Sequence, residues 1–262
     1  MTYPLSVQSV TLGYEQHVIA KHLSVDIPDG KFSVIVGPNG CGKSTLLRSM
    51  SRLLPPQSGK VFLQQQDIHE QPPREVAKKL GLLPQSAIAP DGIKVIDLVA
   101  RGRFPHQKWF QPWSDKDQKA VELAMEATGV MDFSQQSVDQ LSGGQRQRVW
   151  VAMALAQETP LLLLDEPTTY LDIAHQIELM DLFQDLNRLQ GHTLVAVLHD
   201  LNHACRYADH LIVMKSGQII ATGDPNKIVT EQLINDVFGL PCLILEDPIS
   251  NTPLIIPRGR GS

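Results

Sequence analysis

No run of eighteen consecutive apolar residues occurs in this 262-residue chain, so it offers no candidate membrane-spanning helix. Cysteine is scarce too. Cys41, Cys205 and Cys242 are dispersed, odd in number, and make neither a CxxC pair nor a metal-ligand spacing with histidine. That argues against a disulfide framework or a zinc ribbon and suits a reducing cytosol, where such residues are ordinarily small apolar packing. Aromatic residues are only 5%, basic residues form no long stripe, and the formal net charge is -5. A nucleic-acid surface is therefore not expected. The opening MTYPLSVQSV lacks a basic start followed by an apolar core; it alternates like a strand and is no secretion signal. Internal repeats and low-complexity segments are also missing.

What is present is ordinary for a folded domain: 42% hydrophobic and 19% charged residues. The length allows one large domain or a domain with a sizeable insertion. Alternating stretches at Leu5–Leu12 and Leu23–Ile27 predict strands around a turn near Gly13 and Tyr14. The apolar run Lys31–Val36 is a further strand, and Leu46–Leu54 has helical spacing that stops at Pro55 and Pro56. Short strands are expected at Val61–Leu63 and Gly81–Leu83. From about Ile88 the texture turns helical, over Asp97–Arg101, over Asp115–Thr128 behind a Ser114 cap, and over Gln145–Gln157. The last is Ala-rich and apolar on most faces, the mark of a buried helix.

Strand signals return as all-apolar runs at Leu161–Leu164 and Thr193–Leu198, with a covering helix over Ile173–Leu189 between them. A hairpin over Leu211–Lys215 and Gln218–Thr222 turns at Ser216 and Gly217. The fold class is α/β: a P-loop NTPase sheet with an N-terminal antiparallel β portion and an inserted helical lobe. One domain is expected, with residues 1–87 and 158–240 as the α/β catalytic lobe and 88–157 as the helical lobe. Residues 241–262 form a short tail, whose closing RGRGS is expected to be disordered.

Between the Lys31–Val36 strand and the following helix lies Gly37, Pro38, Asn39, Gly40, Cys41, Gly42, Lys43, Ser44, Thr45, which fits G-x-x-x-x-G-K-[ST] in the context that pattern requires. Glycines let backbone N–H groups curl around phosphate oxygens, and the following helix points its positive end at the anion. Lys43 reaches the β and γ phosphates and the Ser44 hydroxyl ligates Mg²⁺, so the expected cofactors are ATP and Mg²⁺. Cys41 sits where helix-end N–H groups could lower a thiol pKa, which would make it reactive and protectable by Mg-ATP. Downstream, an apolar strand ends in Asp165 and Glu166. The position places Asp165 beside the Mg²⁺ shell and Glu166 as general base for the attacking water.

Leu141, Ser142, Gly143, Gly144 and Gln145 stand directly before the Ala-rich helix. A hydroxyl, exposed N–H groups and a helix dipole make a second anion site; a plain cap explains the serine but not both glycines. Two phosphate-binding elements in one chain are puzzling for a monomer and sensible for a homodimer.

Together these motifs resemble the ABC-transporter ATPases from about residue 5 to residue 240: GPNGCGKST, Gln85, LSGGQ, LLLLDE, Leu171–Asp172 and His199 occur in order. The resemblance implies that Tyr14 stacks on adenine and that Gln85 touches Mg²⁺ and water and moves with the permease. It makes His199 the switch histidine at the γ-phosphate, and Asp172 the loop aspartate that crosses the dimer interface. His17, His106, His175 and His192 are left with surface or structural roles.

The segment Val99–His106, the stretch from LSGGQ through IELMDL, VLHDLNHACRYADHLI and the closing PLIIP are similar to ATPase subunits of ferric-siderophore importers, near the ferric enterobactin (catecholate) branch. Haem and cobalamin importers are the nearest alternative. The resemblance implies two copies of the chain, two integral-membrane permease subunits and a periplasmic siderophore-binding protein, at the cytoplasmic face of a bacterial inner membrane. Trp109, Phe110 and Trp113 (KWFQPW) are expected in the core of the helical lobe, with permease contact as the other reading. The stretch after Gly239 is too short for the regulatory domain that some importers carry. A soluble ABC protein of translation or DNA repair ordinarily has two cassettes or a coiled-coil insertion, which this chain lacks. A metabolic P-loop kinase has no place for LSGGQ or His199.

Overall fold

The computed structural model describes residues 3–15, 17–85, 88–107, 113–169 and 171–259. Trp109, Phe110 and the end of the basic tail, residues 260–262, lie outside the described residues. The chain divides into two compact units, 1–71 with 193–262 and 72–192.

In the first unit, β1 (Leu5–Tyr14) and β2 (His17–Ile27) form an antiparallel hairpin. Strands β4 (Ser58–Leu63) and β5 (Gln66–Asp67) extend it to a four-stranded antiparallel sheet in the order β2-β1-β4-β5. The hairpin turn comes at Glu15, later than the sequence suggests, because Gly13 and Tyr14 still pair with Val18 and His17. The second sheet centres on β3 (Phe32–Val36), which pairs in parallel with β8 (Thr193–Val197) and β9 (His210–Lys215). Every residue of β3 and β8 is buried. That is why both are largely apolar, with only Ser33 and Thr193 polar, rather than alternating. Strand β10 (Gln218–Gly223) turns back antiparallel on β9, with Ser216 and Gly217 both at positive φ in the hairpin turn.

Helix α1 (Lys43–Met50) and helix α7 (Leu201–Tyr207) pack on this sheet. The unit closes with α8 (Pro225–Ile228), α9 (Glu231–Phe238) and a hairpin of β11 (Cys242–Glu246) and β12 (Pro253–Pro257). The stretch expected as a bare tail thus holds two paired strands, tied to α7 where Asn202 bonds the backbone of Ile255 in both directions at 2.7 and 3.2 Å.

The second unit runs through α2 (Pro73–Ala77), β6 (Leu80–Leu83), α3 (Val95–Ala100), α4 (Asp115–Ala127), α5 (Gly143–Ala156), β7 (Leu161–Asp165) and α6 (Ile173–Gln190). Strands β6 and β7 pair in parallel, and α3, α4 and α5 pack on one another. Ser114 caps α4 with a reciprocal bond to Asp117, the expected start. Trp113 departs from the core expectation: it is exposed and donates to Gln118 Oε1 at 3.1 Å.

Nothing in the sequence pattern marks Arg103 for burial, yet it is 1% exposed in this helical cluster. Its Nε donates to Asp117 Oδ1 at 2.9 Å, and its Nη1 donates to the Ala156 carbonyl at 2.7 Å and to Glu158 Oε2 at 2.8 Å. One guanidinium therefore joins the turn after α3 to the start of α4 and the end of α5. Burial pushes the Asp117 carboxyl up, but hydrogen bonds from Ser114 and Arg103 outweigh it and hold the group below the usual aspartate range. Replacing Arg103 with Met should leave the Asp117 charge without its partner, at a cost of about 3–5 kcal/mol. A thermal melt should read this as a fall of the order of 10 °C. Because the folded Asp117 titrates low, the ion pair's contribution is complete above about pH 4 and fades as pH drops through the folded value. The gap between wild type and Arg103→Met should narrow in acid. An unchanged melting temperature at pH 7 would remove Arg103 as a structural tie.

Candidate functional site

The phosphate loop hangs between β3 and α1, two elements fixed by burial. Gly37 leaves β3 so close to β9 that a Cβ would meet the Met214 carbonyl oxygen at 2.3 Å. Only glycine fits. Gly42 takes φ 103° as the N-cap of α1 and supplies no side-chain cap, unlike the Ser, Asp or Thr caps of α4, α6, α7 and α9. A helix start dressed this way leaves its first-turn N–H groups for an anion. Lys43 is 5% exposed, and its Nζ donates to the Gly37 and Pro38 carbonyls at 2.9 and 3.1 Å. The ammonium is held inside the loop rather than extended into solvent. Ser44 is half-buried and Thr45 buried in the first turn of α1; Asn39 and Gly40 form the exposed tip.

Cys41 corrects an expectation. Its side chain is buried, and burial raises the thiol above its ordinary value; the nearby Lys43 charge and backbone N–H groups pull it down but do not win. The helix end is there, but desolvation dominates.

Tyr14 closes β1 at the surface, 42% exposed, and its hydroxyl accepts from Arg48 Nη1 of α1 at 3.2 Å. His199 follows β8 and is exposed. Its neighbour Asp200, not His199, caps α7 by accepting from His203 N at 2.8 Å.

In the second unit, β7 ends in Asp165, 3% exposed, and Glu166 follows at φ 51°, a left-handed conformation uncommon outside glycine. Gln85 lies 81 residues earlier, yet its Nε2 donates to Glu166 Oε2 at 2.6 Å. The parallel pairing of β6 with β7 places the two strand ends side by side, so both residues leave the sheet at the same edge. Sequence reasoning missed two further residues on this turn. Thr169 Oγ1 reaches Glu166 Oε2 at 3.3 Å, and Gln147 Nε2 of α5 donates to the Pro167 carbonyl at 3.0 Å. A hydroxyl three residues after the glutamate was the available signal for the first; the second had none.

The start of α5 carries Ser142 as N-cap, its oxygen accepting from Gln145 N at 3.3 Å while Gln145 Oε1 accepts from Ser142 N at 2.9 Å. The Ser142 hydroxyl keeps its own hydrogen to donate. Leu141 is buried, and Gly144 sits 3.4 Å from Leu171 by its would-be Cβ. A Cβ at Gly143 would meet no described atom within 4 Å. Alanine there would suit the helix better by up to about 1 kcal/mol, so packing against the described residues does not account for this glycine.

Asp172 caps α6, accepting from His175 N at 2.9 Å and from its Nδ1 at 2.8 Å, bonds that hold its carboxyl below the usual range. His106 and His192 bond the carbonyls of Gln157 and Thr159, the structural roles expected of them.

A glycine-built phosphate loop with a buried lysine, a strand-end Asp-Glu pair and a second glycine-rich helix start define an ATP-binding cassette. The ABC transporter family model matches residues 20–169, and the chain belongs to that family. It is 56% identical over 253 residues to the ferric enterobactin transport ATP-binding protein FepC of Escherichia coli (strain K12), covering 97% of this chain and 93% of that one. Among solved structures it is similar to an inward-facing conformation of a metal-chelate type ABC transporter, with TM-score 0.84, 28% identity and 99% of each chain covered. It is also similar to the dimeric post-hydrolysis cassette MJ0796 bound to ADP and Pi, with TM-score 0.74, 29% identity and 84% and 98% covered.

Alkylation followed by mass spectrometry checks the Cys41 correction. The native chain should be labelled at Cys41 at least ~10-fold more slowly than the urea-unfolded chain, with or without nucleotide. Rapid labelling that Mg-ATP suppresses would restore the reactive-thiol expectation.

Proposed function

We propose that this chain is the ATP-hydrolysing subunit of an ABC importer that takes up a ferric siderophore of catecholate, enterobactin-like type. The 56% identity with FepC across 97% of the chain carries the cargo reading, since no residue described above would touch cargo. The Gln85–Glu166 contact at 2.6 Å supports the chemistry, because it brings a motif glutamine onto the carboxylate assigned to the attacking water. In this reading two copies of the chain work beneath integral-membrane permease subunits, which receive cargo from a periplasmic siderophore-binding protein. The chain sits at the cytoplasmic face of the inner membrane. Among the described residues no helix is long and apolar enough to cross a membrane, so attachment through the permease is required by the proposal.

Lys43 and the loop N–H groups of residues 37–45 hold the phosphates, and Tyr14 stacks on the adenine. Ser44, Asp165 and Gln85 offer a hydroxyl, a carboxylate and an amide oxygen, a hard-donor set suited to Mg²⁺. Bound there, Mg²⁺ neutralises charge on the phosphates. Glu166 accepts the proton of the attacking water and His199 contacts the γ-phosphate. Ser142 and the following glycines bind the ATP of the partner copy; the open space around Gly143 supports an approach from outside the chain. Asp172 crosses the same interface.

Tagged heterodimers test the shared site. A Lys43→Ala chain paired with a Ser142→Arg chain should regain ATP occupancy at one site and some hydrolysis, because both defects fall together. A doubly mutated chain paired with wild type should have both sites damaged. Activity in the second pairing and none in the first would mean that each site is built from one chain. The cargo is tested by deleting the gene and growing cells under iron limitation on single siderophores. Growth on ferric enterobactin should fail while a hydroxamate still supports it; intact growth on the catecholate would overturn the cargo assignment.

A further inference from the structure

We infer that Thr169 is a positioning residue for hydrolysis: its hydroxyl and the Gln85 amide meet on Oε2 of Glu166 and together set the direction of that carboxylate. This rests on the reading of Glu166 as the general base.

The turn that follows β7 needs such a device. Glu166 sits at φ 51° on the first residue past a fully buried strand. A glutamate has three rotatable side-chain bonds, and a base that wanders by an ångström loses much of its effect. The turn answers with three bonds, two from Thr169 within it and one from Gln147 of α5. Thr169 N donates to the Glu166 carbonyl at 3.2 Å, closing the backbone. Thr169 Oγ1 then donates to Oε2 at 3.3 Å, so one residue holds both the main chain and the side chain of Glu166. Gln147 Nε2, reaching from α5 to the Pro167 carbonyl at 3.0 Å, fixes the middle of the same turn.

Gln85 and Thr169 differ in what they can do. Gln85 lies on a segment separate from the turn and, by the family resemblance, is expected to move with the permease, so its bond to Oε2 can be made and broken. Thr169 belongs to the turn itself and stays with the carboxylate. When the Gln85 amide leaves, the threonine hydroxyl still keeps the carboxylate aimed.

The test is a double-mutant cycle in the full-length chain, with hydrolysis followed under single-turnover conditions as well as at steady state. Thr169→Val should lower kcat about 5–10-fold while the KM for ATP and nucleotide affinity change less than about two-fold. Thr169→Ser, which keeps the hydroxyl, should stay within about two-fold of wild type. On a Glu166→Gln background, itself slowed by about 10²-fold or more, Thr169→Val should add nothing, because the group it aims no longer acts as base. Unchanged kcat in Thr169→Val, or the same fold loss on both backgrounds, overturns the proposal. Failure of Thr169→Ser to rescue points to methyl packing and overturns it as well. Should the valine variant melt early, Thr169→Ala is judged by the same criteria. Near-normal turnover in Glu166→Gln alone would instead sink the general-base reading, a separately visible failure.

Discussion

Everything the phosphate loop does depends on how closely backbone is allowed to approach backbone around it. Gly37 lies against the Met214 carbonyl, and a Cβ on Gly217, in the β9–β10 turn, would fall 2.0 Å from the Ile19 carbonyl of β2. Gly217 N in turn donates to the Cys41 carbonyl at 3.0 Å. The loop is thus clamped between the central strand, the edge hairpin and the N-terminal sheet at distances that exclude a side chain at Gly37 and at Gly217. This geometry buries Lys43 among carbonyls and carries Cys41 out of water, which is why the thiol is raised despite its place beside a helix start. Preorganised donors of this kind lose little on binding, since their ordering cost is met during folding.

The turn after β7 in the second unit is held differently. Where the phosphate loop is fixed by main-chain contact, this turn is held by side-chain hydrogen bonds: Gln85 and Thr169 reach the Glu166 carboxylate and Gln147 reaches the Pro167 carbonyl. Such bonds are individually modest and individually breakable. In the proposed function, a rigid cradle for the phosphates and an adjustable hold on Glu166 as the base suit a machine that must bind nucleotide reliably but hydrolyse it only when its permease is ready.

The helical cluster shows a third solution. One buried guanidinium, in the turn after α3, ties together the start of α4 and the end of α5. A buried ion pair is weak evidence for net stability but strong evidence for a defined arrangement, because any shift strands a charge. The start of α5 is set within that arrangement, with its own first turn capped by Ser142 and Gln145.

Much of this was legible in the chain itself. The apolar runs of β3, β7 and β8, the capped starts of α4 and α5, the phosphate loop and the Asp-Glu pair all follow from spacing and residue type, because each is decided by neighbours within a few positions. The hairpin of β11 and β12 and the short helices α7, α8 and α9 were not marked; each is brief, and α7 and β12 meet only through the tertiary fold. The same limit applies to the site. Sequence order named Gln85 and Glu166 separately, but only the pairing of β6 with β7 put one amide on the other's carboxylate. Burial of Arg103, the raised Cys41 thiol and the hold of Thr169 and Gln147 on the turn after β7 were likewise decided by tertiary structure. Hydrogen bonds and desolvation act over a few ångströms of space, and the chain alone specifies which residues are able to make them, not which ones meet.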